Sequence, residues 1–387
     1  MDFTETDQLI FNELYVNPFQ SAHAISQKLG LGSQKVRDRI RHMKFTGLLR
    51  ADKQIDDPLL GKRVQTEVIA SYYPKSIGLS RQYVFFDSIQ SKTQLEKLTT
   101  FCDEHPYTHY RAVTYGDNSS LYVQFDVPEN ITSDMKKLYR ELASELELGV
   151  DILNASIEAI DILPNFNKWS LFTDEWNFDK TFEHGLVIDS LWNEFSVHPE
   201  NFVPEYYITP PSEGYIMSEL ESKLLRELTV NAKIGLDELS STYGRTKSVL
   251  SRNISKLKEH VIYRGMLLFR EEYFGMNSFS LISGKIAKGS KITSDGLLNF
   301  FENNPLPLSG SIVIDEDRFL MEIKASPIIS SEVINFMWEN TVGAEFKSRQ
   351  IYIPKTFLYY FYPENYLGKG NWKIEQDYIR NIPLSVI

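Results

Sequence analysis

The residues in this chain best suited to chemistry are cations repeated at helical spacing. Between Lys28 and Arg50, seven bases (Lys28, Lys35, Arg37, Arg39, Arg41, Lys44 and Arg50) meet one acid, Asp38, a local net charge of +6. A second concentration, from Lys233 to Arg264, holds seven bases and three acids, a net of +4. The whole chain carries −11, so everything outside these segments carries −21. Such a total argues against a nucleic-acid binder only if charge is spread evenly. Phosphate attraction decays over about 8 Å at physiological salt, so a segregated basic patch can bind DNA on an acidic protein. In the first segment Lys35, Arg37 and Arg41 are candidate phosphate or base contacts, Ser33 and Gln34 can bond base edges, and Asp38 shares their outward row. Lys247, Ser248, Ser251, Arg252 and Ser255 are the counterparts in the second. Arg39 lies beside the apolar stripe and suits a structural ion pair.

Other chemistry finds little support in spacing. The seven histidines, at 23, 42, 105, 109, 184, 198 and 260, form no H-E-x-x-H pattern. Cys102 is the sole cysteine, which excludes an intrachain disulfide. His105 and His109 are four apart near Cys102, but Pro106 interrupts any helix that would put them on one face. Ser283-Gly284-Lys285 lacks phosphate-loop spacing. No catalytic residue, metal or cofactor is therefore expected, and the chain is read as not an enzyme. The aromatic run Tyr359 to Tyr362 reads as a packed edge or interface. No stretch nears the roughly 18 apolar residues of a membrane span, and a cytoplasmic location is expected.

The elements that must position these residues recur. Asn17, Ile25, Gly30, Ile40, Met43, Leu48 and Arg50 have counterparts at Asn231, Leu239, Gly244, Ile254, Leu257, Ile262 and Arg264, each 214 later. Gly78-Leu79 corresponds to Gly275-Met276 at 197, the segment 101–106 to 300–305 at 199, and 160–164 to 350–354 at 190. The order of the blocks is preserved, which points to an internal duplication. The largest insertion falls between Arg50 and Gly78, near the turn signal Asp56-Asp57-Pro58. Each copy reads as three helices, the second ended by a glycine, followed by a β-α-β-β-α-β segment. The third helix buries Val36, Ile40 and Met43 at i, i+4 and i+7, turning the cations outward. The 387 residues thus divide into a winged helix-turn-helix (1–63), a ferredoxin-like domain (64–164), an aromatic, proline-containing connector (165–217) expected to pack on the sheets, a second winged helix-turn-helix (218–268), a second ferredoxin-like domain (269–354) and a C-terminal extension (355–387).

Leu31, Val36, Arg39, Ile40 and Gly47 sit in register with the helix-turn-helix pattern L-S-x-x-x-V-x-x-R-V-x-x-L-x-x-x-G-V-I, and the segment resembles the Lrp/AsnC family of transcription regulators. Asp7-Gln8-Leu9-Ile10 is similar to that family's D-x-x-I-L opening. Gly32 replaces the usual Ser, leaving Ser33 as the expected helix cap. In the second copy Asn253 and Val261 stand where the Arg and Gly are expected. The family pairs single units through the open faces of their sheets, so the resemblance implies an α+β internal pseudo-dimer of two tandem copies. It further implies double-stranded DNA as partner, self-association through the regulatory domains, and an effector such as an amino acid. The effector loops map onto Tyr115, Gly116 and Asp117 and onto Asp315 and Asp317. Two alternatives are kept. The siroheme decarboxylases share this fold, although their basic, histidine-containing sheet motif is not evident here, and a winged-helix unit can also serve protein interaction.

Overall fold

The computed structural model of the chain describes residues 3–57, 61–154, 160–164, 166–173, 175–176, 187–199, 210–303 and 306–387. Pro58, positions 155–159 of the strand expected from Asn154 to Leu163, Asn165, His184, Phe202, Pro204, Asn304 and Pro305 lie outside the described residues.

The first three helices are α1 (Glu5–Val16), α2 (Ala22–Leu29) and α3 (Ser33–Phe45). Thr4 and Asp7 close a reciprocal cap on α1, and Gly30, at φ 65°, ends α2 in the left-handed region. The expectation that Ser33 caps α3 is corrected. Gly32 occupies the cap without a side-chain bond, and the Ser33 hydroxyl lies 2.8 Å from that of Ser26, tying α3 to α2. Arg39 donates from Nε to Asp7 Oδ1 at 2.5 Å, so the one cation of α3 near its apolar stripe is spent on a buried carboxylate.

The 51–67 insertion is a hairpin, β1 (Lys53–Asp57) with β2 (Gly61–Gln65), followed by β3 (Val68–Tyr72). Then come β4 (Leu79–Asp87), α4 (Lys92–Glu104), β5 (Thr108–Tyr115), β6 (Ser120–Pro128), α5 (Thr132–Glu145), β7 (Gly149–Asn154) and β8 (Ile160–Ile162). The connector contributes β9 (Trp169–Ser170), β10 (Glu175–Trp176) and α6 (Val187–Val197). The same order then recurs. It runs through α7 (Glu219–Val230), α8 (Leu236–Tyr243), α9 (Lys247–His260), β11 (Ile262–Leu267), β12 (Ser278–Lys285), α10 (Ser294–Asn303), β13 (Leu308–Asp315), β14 (Arg318–Ala325), α11 (Pro327–Glu339) and β15 (Lys347–Leu358). A hairpin, β16 (Tyr366–Gly368) and β17 (Asn371–Trp372), and a short α12 (Ile382–Leu384) finish the chain.

Three strand pairings join the halves, β3 with β11, β5 with β15 and β8 with β13. β3 of the first runs antiparallel to β11 of the second, which ties the two three-helix units together. Nine strands form one antiparallel sheet in the order β7-β4-β6-β5-β15-β12-β14-β13-β8. Its ends are successive in the chain. A flat sheet of nine strands would be about 38 Å wide, whereas the link between β7 and β8 spans at most roughly 20 Å, so the sheet must curl back on itself. β15 starts against β12 and finishes against β5, while β7 pairs with β4 and its continuation β8 with β13. Each half's last strand therefore ends on the other half's edge.

Helices cover one sheet face in each half, through Phe101, Phe125 and Leu142 in the first and Phe300, Phe319 and Phe336 in the second. The opposite faces meet each other, where Tyr83, Phe85, Tyr122, Leu281, Leu320 and Ile351 interdigitate. Among its described residues the connector meets helices of both halves. Phe166 meets Phe11 at 4.9 Å between ring centres, and Trp192 meets Phe300 at 5.2 Å. Aromatic rings of this size gain most by filling the gap between helices.

Candidate functional site

Two surfaces could do chemistry, one exposed and one enclosed. On α3, Gln34, Lys35, Arg37, Asp38 and Arg41 are exposed and Ser33 is half-buried; on α9, Lys247, Ser248, Ser251, Arg252 and Ser255 are exposed. Each set lies along the outward side of a helix whose other side is buried through Val36 and Met43 or through Leu250 and Leu257. The α3 side chains hold one another in place. Gln34 donates to Asp38 at 2.9 Å, Arg37 donates to Gln34 at 3.0 Å, and Arg41 pairs with Asp38 at 2.9 Å. Asp38 is thus the organiser of the row rather than a free acid beside it. The α9 row is weaker in charge, and Lys247 pairs with Asp237. Where Asn253 replaces the arginine, its amide donates to Val249 O, and Glu221, the counterpart of Asp7, is held instead by Ser218 N and Tyr215.

The enclosed site is a polar cluster that sequence spacing did not reveal. Asp126 on β6 is buried and accepts two hydrogen bonds at 2.7 Å from Arg81 on β4, its partner across the ladder. Tyr72, at the end of β3, donates its hydroxyl to the same carboxylate at 2.5 Å. His109 on β5 places Nδ1 3.4 Å from Asp126 Oδ2. Burial would raise the Asp126 pKa, but Arg81, His109 and Tyr72 outweigh it and hold the carboxyl at about 2. Burial, aided by Arg81, pushes His109 down to about 3, so its ring is neutral near pH 7. Burial and the Asp126 charge push the Tyr72 phenol well up, so it keeps its proton. His109 Nδ1 also lies 3.5 Å from the Tyr72 hydroxyl, so this ring nitrogen faces both the phenol and the carboxylate, the neighbourhood that general acids and bases use.

His109, Asp126 and Tyr72 line a cavity of about 20 Å³, the room of roughly one water. Thr108, whose buried hydroxyl oxygen has no hydrogen-bond partner, is on its wall. The outer wall is the C-terminal extension, with Tyr360, Phe361, Tyr362 and Trp372. Phe361 is buried, as expected of a packed edge, and Tyr359 N donates to His109 O at 2.8 Å. The four polar residues come from four strands, β3, β4, β5 and β6, at 72, 81, 109 and 126. Only the ladder register and the β3 crossing bring them together, and no local spacing signals either.

Of the residues expected to hold an effector, Asp117 is exposed and the other four have local contacts. Tyr115 meets Tyr352 edge-on at 6.0 Å, and Gly116 runs so close to β15 that a Cβ would lie 2.8 Å from Ser348 O. Asp317 pairs with Lys285 at 3.1 Å, and Asp315 is opposite Arg318 in the hairpin. His105, the other half of the sequence pair, does not join His109. It is buried between Phe101 and Phe125 on the helix-covered side. No described helix is long and apolar enough to cross a membrane.

The fold and the enclosed cluster together define a mixed α/β protein with a large antiparallel sheet and two three-helix units. No protein-family model and no curated protein matches the sequence. Among solved structures, siroheme decarboxylase NirDL in co-complex with an iron-uroporphyrin III analogue covers 97% of this chain and 97% of its own, with a TM-score of 0.50 and 12% identity. NirDL alone gives the same TM-score at 11% identity. An AsnC family transcriptional regulator from Agrobacterium tumefaciens covers 40% of this chain and 91% of its own, with a TM-score of 0.28 and 16% identity. The chain therefore shares a fold from end to end with an enzyme. The expectation that it is not an enzyme is corrected on that ground. It rested on the lack of a contiguous catalytic motif, and a site assembled across strands needs none.

Proposed function

We propose that the chain is an enzyme of the siroheme-decarboxylase type, built on two tandem winged-helix and ferredoxin-like units, with Tyr72, Arg81, His109 and Asp126 as its proton-handling cluster. The supporting observation is the full-length likeness to NirDL together with a histidine set against a buried carboxylate on the wall of a cavity. Loss of CO2 from an acetate arm breaks a C–C bond and leaves the electron pair on the carbon that stays with the ring. That carbon must receive a proton. Neutral His109 cannot spare one until a substrate carboxylate approaches, which favours the charged imidazolium and raises its pKa. Asp126, held ionised by Arg81, then orients and stabilises the cation as Tyr72 fixes the carboxylate. A cavity with room for about one water cannot hold the macrocycle, which would rest outside it, against the aromatic wall of the C-terminal extension.

Incubating the purified protein with siroheme and following CO2 and product mass tests this reading. The expected outcome is loss of carboxyl groups, reduced at least 100-fold in His109→Ala and less in Tyr72→Phe. Wild-type protein that neither binds nor alters siroheme would sink the proposal.

A second reading has its own observation, the exposed cation row of α3. The two tandem units would place α3 and α9 in major grooves as an Lrp/AsnC-type regulator does, with α3 the stronger contact. Arg37→Ala with Arg41→Ala should weaken duplex binding and reduce the slope of log affinity against log salt by about two, roughly one per phosphate contact. Affinity unchanged at low salt would remove α3 from any DNA interface.

A further inference from the structure

The ladders of the two halves superimpose at a spacing of 198. Arg81 opposite Asp126 becomes Phe279 opposite Lys324, and Phe85 opposite Tyr122 becomes Ser283 opposite Leu320. In the last strands Asp151 is opposite Phe85 and Lys347 is opposite Ser283, so these two are also equivalent. Gln124 and Glu322 are 198 apart and touch, with Gln124 Nε2 donating to Glu322 at 2.6 Å. Equivalent positions that touch each other mark the axis relating the halves. Around that axis the charges invert. Asp87, Asp126 and Asp151 of the first half stand where the second has Lys285, Lys324 and Lys347.

The contacts follow the same polarity. Asp87 meets Lys347 at 3.1 Å and Arg349 at 3.0 Å, and Asp151 meets Arg318 at 2.6 Å. Glu67 meets Lys233, Asp161 meets Arg264 and Glu141 meets Arg380, at 2.9, 2.9 and 2.7 Å. In each of these six pairs the acid lies in residues 1–164 and the base in residues 218–387. We infer that the seam is polarised so that the second half's basic face fits the first half's acidic face and rejects its own kind. A first half paired with another first half would set Asp87 against Asp151, and a second with a second would set Lys285 against Lys347. Like charges so placed repel, whereas area and shape alone would permit either pairing. The chain is thus a matched pair of unlike halves, and the Arg81–Asp126 cluster exists once per molecule because its counterpart is Phe279–Lys324.

Charge reversal in the full-length chain tests this. Asp87→Lys with Asp151→Lys sets like charges on both sides of the seam and should lower the unfolding midpoint by several degrees. Adding Lys347→Asp and Arg318→Asp to the same chain should recover most of the midpoint. The neutral pair Asp87→Asn with Asp151→Asn should cost clearly less than the reversal. Neutral variants as damaging as reversed ones, or a fourfold variant no better than the sum of its halves, would overturn the inference.

Discussion

His105 and His109 are four residues apart, yet burial pushes both to about 3 by different surroundings. His109 shares its enclosure with Arg81 and a carboxylate, whereas His105 is 3% exposed among rings, accepts from Tyr107 N at 3.3 Å and, among the described residues, faces only the backbone of Ile379, with no charged group beside it. An unfolded histidine titrates near 6.5, so between that pH and about 3 the unfolded chain binds a proton that the native chain refuses. A depressed folded pKa gives stability that is complete above the unfolded value and drains away as pH falls toward the folded one. From pH 6.5 to 5 each histidine should cost about 2 kcal/mol. Buried Glu322 and Asp161, whose pKa values burial raises, bend the profile the other way by taking protons in the native state. His105→Gln isolates one contribution. In urea denaturation at pH 7 and pH 5 the variant should lose less stability on acidification than the wild type, and an unchanged difference would place the acid sensitivity elsewhere. Sequence could name both histidines as candidates, but not separate them, because strand parity and the β3 crossing decide which one meets Asp126.

At the level of elements, sequence periodicity was enough to place the three-helix units and the two β-α-β-β-α-β runs, since buried stripes at helical spacing and turn signals are local. It was not enough for their partners. β3 pairs with β11 rather than within its own unit, and β15 leaves β12 for β5 partway along. Such exchanges depend on which edge is free, a tertiary fact. Glycine marks one place where the exchange is tight. Gly310 on β13 lies between β14 and β8, and a Cβ there would overlap the Glu322 carbonyl. Backbone atoms of a paired strand cannot swing aside as a flexible side chain can. Gly310→Ala should therefore destabilise by about 1–3 kcal/mol and loosen the contact of Glu322 with Gln124 on the axis. A denaturation curve shows the first effect. Faster amide exchange across β13 and β14, with α3 and α9 unaffected, shows that the damage is local.

The whole molecule is held as one body by contacts that cross between halves at both ends. Trp176 Nε1 of the connector's hairpin donates to Phe274 O in the second half, and Trp372 Nε1 of the C-terminal hairpin donates to Ile77 O in the first, so each hairpin buckles onto a short helical turn, Glu271–Phe274 or Pro74–Ile77. At the heads the connection is electrostatic as well as β-ladder. Glu67 is 2% exposed, with Lys44 of α3's last turn on one oxygen at 2.7 Å and Lys233 of the second head on the other at 2.9 Å. Burial would raise the Glu67 pKa, but Lys233 and Lys44 outweigh it and keep the carboxylate charged. The orientation of α3 relative to α9 therefore depends on one buried acid adjoining β3 and β11, which bears on either proposed reading: a DNA reader would need fixed spacing of its helices, and an enzyme of the proposed kind would need Tyr72, at the end of that same ladder, held on Asp126. Glu67→Gln keeps the shape and removes the charge that two lysines share. It should lower stability by about 1–3 kcal/mol, speed amide exchange in β3 and β11, and weaken the coupling of the heads without unfolding either. Exchange that stays at the wild-type rate in both strands would show that the ladder alone fixes the heads and that Glu67 only compensates charge.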